Sequence, residues 1–237
     1  MKIKGISLLA FVFVVLGLTS CVNDYVANYS VGLSSVERSL DAKQQFGETK
    51  VMDLTEKGVS NNHYEDDYID VVWSVVNQKQ FNFTLKNKSS HTIKINWDDI
   101  SYVDTEGFVG RVVHAGVKYA DRNNSQPAIT VPKGACISDM LLPTENVSFR
   151  NGGMLGQVYI PGGWEETYLF PCVYKGRKKF DAGAPSFIGK IMKVMMPVMI
   201  ENIQNDYVFT FTIDRLLKST AEIRFQKRKE KADSMYQ

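Results

Sequence analysis

Strict alternation of apolar and polar residues constrains the fold of this chain more than any other feature of its sequence. The stretch YVFTFTID at 207–214 repeats with a period of two, and so does QFNFTLKN at 80–87. The runs DVVWSVV at 70–76 and HTIKINW at 91–97 follow the same pattern, with turn residues between them. Because successive side chains of a strand point to opposite faces, each run predicts a strand with one face in a core.

Shorter runs at 100–104, 108–114, 128–131 and 135–138 are further strand candidates. The methionine-rich segment 189–202 is ambiguous, since its apolar residues could also line a helix. Pro197 would cost the interior of a helix ~3 kcal/mol. We therefore predict an edge or bulged strand here, paired with 206–213 through the turn Gln204-Asn205.

These elements together predict a mainly β protein. Short antiparallel strands separated by turn residues are typical of an antiparallel β-sandwich, which we place at residues 63–214. The basic tail at 215–237 is predicted to form a short C-terminal helix.

The first twenty residues have the character of an export signal. Lys2 and Lys4 precede an uncharged stretch, residues 6–18, which is too short to span a hydrocarbon core that needs a helix of ~20 residues. A positive start, a short apolar run and small residues are typical of a secretory signal peptide. The alternative is a buried core helix, although a core helix would carry a polar face.

The residues Leu18-Thr19-Ser20-Cys21 resemble the lipobox of bacterial lipoproteins. The resemblance implies that residues 1–20 are removed, that the Cys21 thiol is lipidated, and that acyl chains hold the protein on a membrane. An Asp directly after the cysteine favours inner-membrane retention in that family, and here Asp24 comes two places later. An outer-membrane location is therefore expected in a Gram-negative cell, with periplasmic and outward orientation both open.

Residues 21–62 are polar and weakly patterned, which predicts a lipid-anchored tether. A short helix is expected near residues 36–46, with Ser34 or Ser35 as its N-cap. Beyond the tether, FNFTLKNKSSHTIKINW, HAGVKYADRNNSQP and NDYVFTFTID resemble the immunoglobulin-like sandwich domains of uncharacterised bacterial envelope lipoproteins. That resemblance implies no catalytic residues.

The charge balance argues against a nucleic-acid partner. The chain has 28 basic and 26 acidic residues, and removing residues 1–20 takes two lysines with it and leaves a formally neutral protein. Nucleic-acid binding normally requires a basic surplus. The basic run at 227–231 is interpreted as a solvated end of the chain.

Cys136 and Cys172 remain once Cys21 is set aside. An even number of cysteines in an exported chain suggests a disulfide, and the alternative is two buried free thiols. His63, His91 and His114 lack the spacing of a zinc site, so we predict no metal and no cofactor. The acidic stretch HYEDDYID at 63–70 could offer oxygen ligands to calcium, but we interpret it as the solvated start of a strand.

Two polar regions are candidates for binding. His114, Asp121 and Arg122 form a dense polar stretch in which His114 and Asp121 could be an acid–base pair, although loop-capping hydrogen bonds are the simpler role. The string GAPSFIG around Ser186 lacks the GxSxG spacing of a serine nucleophile.

The second candidate is the Gly-rich segment 151–168. Trp164 follows a Pro-Gly-Gly turn and is flanked by Tyr159 and Tyr168, so it could stack on a sugar or contact a protein. The alternative is that Trp164 folds back and closes one end of the sandwich. The sequence therefore predicts a lipid-anchored binding or structural protein rather than an enzyme, with an envelope glycan or protein as partner. The alternative function is an envelope hydrolase with dispersed catalytic residues.

Overall fold

A computed structural model of the chain describes residues 24–39, 49–55 and 62–217. Short 3-10 helices cover Trp97–Asp99, Tyr119–Asp121, Thr144–Asn146 and Ala184–Phe187. The strands and the α-helix of the described ranges are β1 (Asp24–Val26), β2 (Asn28–Ser39), β3 (Thr49–Asp53), β4 (His63–Glu65), β5 (Ile69–Val76), β6 (Gln80–Asn87), β7 (Ile93–Ile95), β8 (Ser101–Val103), β9 (Val109–His114), β10 (Ile129–Val131), β11 (Cys136–Pro143), β12 (Val147–Arg150), β13 (Gly153–Leu155), β14 (Val158–Ile160), β15 (Gly163–Glu166), β16 (Val173–Lys175), α1 (Arg177–Gly183), β17 (Ile191–Ile200) and β18 (Ile203–Leu217).

Most of these strands belong to one antiparallel sheet that curls into two facing layers. Its order is β3-β2-β18-β17-β8-β9-β11-β6-β5-β4, with β7 added beside β17 and β10 beside β7. Strand β9 joins the layers, because its residues 109–111 pair with β8 and its residues 112–114 pair with β11. The predicted mainly β, antiparallel architecture is confirmed, and the curled sheet is consistent with a β-sandwich.

Aromatic side chains fill the space between the layers. The Trp73 ring on β5 lies 4.9 Å from Phe209 and 5.3 Å from Phe211 on β18, between ring centroids. Phe81 on β6 lies 4.8 Å from Phe211. All four are buried on the faces that the alternating pattern predicts. Burying each such ring stabilises the fold by ~1.5–3 kcal/mol, so these contacts stabilise the packing of the two layers.

The ambiguous segment is a strand, as predicted, but it is central rather than an edge. Strand β17 pairs with β18 on one side and with β7 and β8 on the other. Pro197 pairs with neither β7 nor β8, because the chain between those two strands leaves the sheet in the 3-10 turn Trp97–Asp99. A residue without an N–H is tolerated at such a gap. The turn to β18 is Glu201-Asn202, both with positive φ (48° and 67°), and not the predicted Gln204-Asn205.

The predicted tether contains a strand of the main sheet, which corrects the sequence interpretation. Strand β2 runs along β18, and its residues 36–39 are extended where we predicted a helix. The pairing has register shifts between Thr210 and Phe211 and between Ile213 and Arg215. Each irregularity changes the side-chain period. The buried positions 29, 32, 33, 36 and 39 therefore follow a spacing of three to four, which imitates a helix.

The domain thus begins before residue 63. Strand β1 pairs with β16, and β3 pairs with β2 at the edge of the sheet. At the other terminus β18 continues to Leu217, so residues 215–217 are strand and not the helix we predicted. The predicted signal peptide 1–20, the predicted lipidation site Cys21, residues 40–46 of the predicted tether helix and the tail 218–237 lie outside the described residues.

The two ends of the sandwich differ. At one end lie the β5–β6 turn, the last residue of β11 and the first residue of β2; Gln78 in that turn accepts a hydrogen bond from the Tyr29 amide at 2.9 Å. From this end a two-stranded arm, residues 147–166, leaves the sandwich: β12 pairs with β15, and β13 pairs with β14 at its tip, residues 153–160. We call this the arm end. The opposite end, with the β17–β18 turn, is the far end.

The predicted disulfide is wrong. Both Cys136 and Cys172 are free, Cys136 exposed and Cys172 buried. Cys136 opens β11 opposite Lys86 near the far end, whereas the carbonyl of Cys172 accepts the Ala27 amide at 2.7 Å at the arm end. The two thiols are therefore at opposite ends of the fold. Burial raises the pKa of the Cys172 thiol to about 12, which keeps it protonated.

Candidate functional site

Trp164 is the centre of an exposed aromatic group at the base of the arm. It lies on β15 opposite Phe149 of β12, with the ring centroids 5.3 Å apart, and it is 40% exposed. The Tyr119 ring centroid lies 6.1 Å from the centroid of the same indole, and the Arg122 guanidinium lies 5.2 Å from the indole centroid. We call these four residues the aromatic surface. Trp164 does not belong to the buried core, so the alternative in which it closes the sandwich is wrong.

The aromatic surface is held in place from two sides. Tyr119 and Arg122 come from the 3-10 turn after β9, where Arg122 donates a hydrogen bond to the Tyr119 carbonyl at 2.9 Å. The Tyr119 hydroxyl donates to the Glu166 carboxylate on β15. Partial burial, and then this hydrogen bond, raise the pKa of Tyr119 to about 12. The loop is thereby tied to the arm, so the four side chains act as one preorganised surface.

Asp121 is close in sequence but does not join the aromatic surface. Its carboxylate accepts a hydrogen bond from the Asn124 side chain at 3.3 Å, and its carbonyl accepts one from the Asn124 amide at 2.8 Å. Both contacts close the turn that carries Tyr119 and Arg122. The loop-capping role is therefore the one that the geometry supports.

Tyr159 and Tyr168, the predicted neighbours of Trp164, lie elsewhere. Tyr159 is in the arm tip opposite Met154 and is 64% exposed. Its hydroxyl is so close to Gly152 that a side chain at that glycine would lie 2.5 Å from it. Tyr168 packs against the main core, with the Lys79 ammonium 5.4 Å from its ring centroid. Of the predicted aromatic set, only Trp164 is in the aromatic surface.

His114 pairs with a different acid from the one we predicted. Its Nδ1 lies 3.2 Å from Asp139 Oδ2, and its ring stacks on Trp97 at 4.2 Å with an interplanar angle of 7°. The other Asp139 oxygen accepts the Ala115 and Met140 amides at 2.8 and 2.7 Å. Within the described part of the chain, no serine or threonine hydroxyl is hydrogen-bonded to the His114 ring. The His114–Asp139 contact joins β9 to β11.

Asp66 forms a buried polar centre that the sequence did not reveal. Its Oδ2 accepts hydrogen bonds from the hydroxyls of Tyr64 and Tyr207 at 3.0 and 3.1 Å and lies 3.1 Å from Arg38 Nε. Its Oδ1 accepts the amides of Tyr68 and Ile69. Burial, followed by the Asp66 charge, raises the pKa of both tyrosines. Because its oxygens are fully engaged, Asp66 is a structural ion pair and neither a calcium ligand nor a solvated residue.

Asp98, in the acidic pair after Trp97, is also engaged in the fold. It accepts hydrogen bonds from Ser125 Oγ at 2.5 Å, Arg111 Nη2 at 2.9 Å and the Gln126 amide. These contacts, led by the one from Ser125, lower the pKa of the Asp98 carboxyl. Asp98 therefore fastens the loop that follows the aromatic surface to the sandwich.

In residues 24–39, 49–55 and 62–217, no group of three or more His, Cys, Asp or Glu side chains could hold a metal ion. In the same ranges, no helix has the length and apolar character needed to cross a membrane. Comparison of the chain with protein families, with curated proteins and with solved structures found no match.

Proposed function

We propose that this protein is a lipid-anchored lipoprotein of the bacterial cell envelope, located in the outer membrane, whose β-sandwich is a non-catalytic binding module. The lipid anchor is supported by the sequence Leu18-Thr19-Ser20-Cys21 after its short apolar run. Stable anchoring requires more than one acyl chain, which a multiply acylated cysteine would supply. Mass spectrometry of the N-terminal peptide from native membranes tests this part: it should begin at Cys21 and carry acyl chains.

The binding part of the proposal is supported by one observation: Trp164 is exposed among Phe149, Tyr119 and Arg122 rather than buried. Tryptophan, tyrosine and arginine are the residue types that contribute most to protein–protein binding. The ligand class that fits best is a protein. A sugar stacks on a free ring face, whereas Arg122 covers one face of the Trp164 indole and two aromatic rings approach it edge-on.

The test is crosslinking and capture of the intact lipoprotein from native envelopes, with Trp164→Ala and Phe108→Ala compared. Phe108 is an exposed aromatic control outside the aromatic surface, with 73% of its surface accessible compared with 40% for Trp164. We expect a captured envelope protein to be lost with Trp164→Ala and retained with Phe108→Ala. The proposal fails if both variants retain it. A ligand that envelope oligosaccharides displace would instead identify the surface as a glycan site.

The alternative, an envelope hydrolase, has one observation in its favour, the His114–Asp139 pair at 3.2 Å. Screening esterase, amidase and glycosidase substrates with the wild-type protein and with His114→Ala tests it directly. Activity that disappears in His114→Ala while the protein stays folded would replace the binding module as the proposed function.

A further inference from the structure

The arm tip, residues 153–160, is apolar on both of its faces. Met154 and Tyr159 are cross-strand neighbours on one face, each 64% exposed. Leu155 and Val158 are neighbours on the other face, 70% and 64% exposed. Between Arg150 and Glu165 the sequence has no charged residue. The tip therefore exposes hydrophobic side chains in every direction around the ribbon.

This arrangement indicates what kind of surroundings would suit the tip. A flat protein surface would cover one face and leave the other in water. An isolated two-stranded ribbon is at best marginally stable in water, so both faces gain from a medium that surrounds them. The lipid side of a membrane interface is such a medium. A ribbon with two open edges cannot enter the hydrocarbon core deeply, because its unpaired N–H and C=O groups need water.

The position of the arm supports the same partner. Strand β1, which starts at Asp24, pairs with β16 at the arm end of the sandwich. Cys21 is only three residues before Asp24 and so lies at most about 11 Å from it along an extended chain. An acylated Cys21 would bring the membrane to this end of the fold. The inference rests on the proposed lipid anchor for this step alone.

The arm end also has the charge and the apolar surface that an anionic bilayer attracts. Three exposed lysines lie in β16 and α1, directly beside β1, where acidic headgroups would bind them: Lys175, Lys178 and Lys179. Arg177, in the same helix, is paired with Asp181. Exposed apolar side chains also lie at the arm end. They come from the arm-end termini of β16, β17 and β18 and from the turns before β9 and β17: Phe108, Val173, Ile188, Ile191 and Leu217.

We propose that the arm tip is a second membrane contact, inserted into the headgroup and acyl boundary of an anionic bilayer to a depth of about 5–10 Å. Leu155, Val158 and Met154 supply the buried apolar surface, and Tyr159 lies at the interface. The aromatic surface at the base of the arm remains above the headgroups, since Phe149 is seven residues before the tip turn, about 20 Å along a strand.

The test places an environment-sensitive fluorophore on the intact lipoprotein through Val158→Cys in a Cys136→Ser background, which removes the exposed native thiol. The matched control is Ser90→Cys, which is exposed at the far end. Both proteins are reconstituted into vesicles of phosphatidylethanolamine and phosphatidylglycerol, some with bromine atoms in the acyl chains. We expect brominated lipid to quench the label at 158 and to leave the label at 90 unchanged.

The proposal would be overturned if the label at 158 had the same fluorescence in brominated vesicles as in ordinary vesicles, as we expect for the label at 90. So would a label at 158 that is shielded only in native envelopes and not in pure lipid, since that result assigns the tip to a protein partner. Adding Leu155→Asp to the Val158→Cys protein should remove the quenching. Mass spectrometry of Cys21 on the same sample shows separately whether the lipid anchor is present, so failure of the arm contact and failure of the anchor can be told apart.

Discussion

The β5–β6 hairpin and the arm are both two-stranded antiparallel ribbons, but they use their side chains in opposite ways. In the β5–β6 hairpin, Trp73 and Phe81 are buried against β18 while the intervening residues are polar or partly exposed. In the arm, Met154 and Leu155 are consecutive and both exposed. Alternation of apolar and polar residues therefore indicates a ribbon with one face buried. Consecutive apolar residues indicate a ribbon with apolar side chains on both faces.

The difference extends to their polar contacts. The β5–β6 hairpin begins beside Asp66, whose carboxylate is buried with Arg38 and two tyrosine hydroxyls. The arm has an ion pair between Arg150 and Glu165 that is nearly half exposed on both sides. Only the loss of the first would destabilise the fold strongly, because it would leave a buried charge unpaired, whereas solvent screens the exposed pair. The sandwich is therefore stabilised by its own buried contacts, whereas the arm leaves both its apolar side chains and its ion pair exposed.

The largest difference in the free energy of unfolding is expected between the variants that truncate one tryptophan in each ribbon. Trp73 is 1% exposed and Trp164 is 40% exposed. Trp73→Ala should lower the free energy of unfolding by ~3–5 kcal/mol, since it leaves a cavity between the layers. Trp164→Ala should lower it by less than ~1 kcal/mol. Urea unfolding of both variants measures the difference, and equal losses would show that the arm is part of the core.

The second prediction compares the loss of Asp66, beside the β5–β6 hairpin, with the loss of Glu165 in the arm. Asp66→Ala leaves Arg38 as an uncompensated charge, with only 15% of its side chain exposed, and should lower the free energy of unfolding by ~3–5 kcal/mol. The matched change in the arm, Glu165→Ala, should cost at most ~1 kcal/mol. Equilibrium unfolding in urea checks both values. A small loss for Asp66→Ala would mean that the buried centre is not structural.

A polar substitution in the arm tip should leave the fold unchanged. Leu155 is 70% exposed, so Leu155→Gln removes little buried surface and should change the free energy of unfolding by no more than ~0.5 kcal/mol. The control is Leu85→Gln in β6, where the side chain is fully buried and the loss should be several-fold larger. Thermal unfolding separates the two, and a large loss for Leu155→Gln would place the tip among the core elements.

The smallest expected effect concerns the link between the arm and the sandwich. Burial is the larger cause of the raised Tyr119 pKa and the hydrogen bond to Glu166 is the smaller one, so Glu166→Gln should lower this pKa but keep it above 10. Absorbance titration of tyrosine ionisation measures the Tyr119 pKa, and the Tyr119→Phe protein, which lacks this hydroxyl, is the control. A tyrosine whose pKa is raised on folding stabilises the protein below its unfolded pKa. That stability is lost as the pH rises from about 10 to about 12. An unchanged pKa in Glu166→Gln would mean that the hydrogen bond to the arm is absent.

The sequence predicted the parts of the fold in which one strand has one buried face. The strands at 80–87 and 207–213 have that form, and their inward residues are those predicted. Strand β2 does not, because the irregular pairing with β18 gives it buried positions at helical spacing. A local pattern cannot show this, since the cause lies in a partner strand, in which Thr210 is 176 residues from its contact Ser34.

The candidate site was predicted only in part. Trp164 and Arg122 were both singled out, but nothing in the sequence joins them, and Tyr119 and Phe149 were missed. The Asp66–Arg38 contact was missed for the same reason: the two residues come from distant strands. The even number of cysteines suggested a disulfide, yet number says nothing about position, and Cys136 and Cys172 lie at opposite ends of the sandwich.

Hydrogen exchange of the intact protein on anionic vesicles, with wild type compared with Leu155→Gln/Val158→Gln, decides whether the arm tip contacts a membrane. We expect the β5–β6 amides to be equally protected in both proteins. We also expect the amides of residues 153–160 to be protected in wild type and to exchange rapidly in the double variant. Equally rapid exchange of the tip amides in both proteins would show that the tip lies in water, and would contradict the proposed membrane contact.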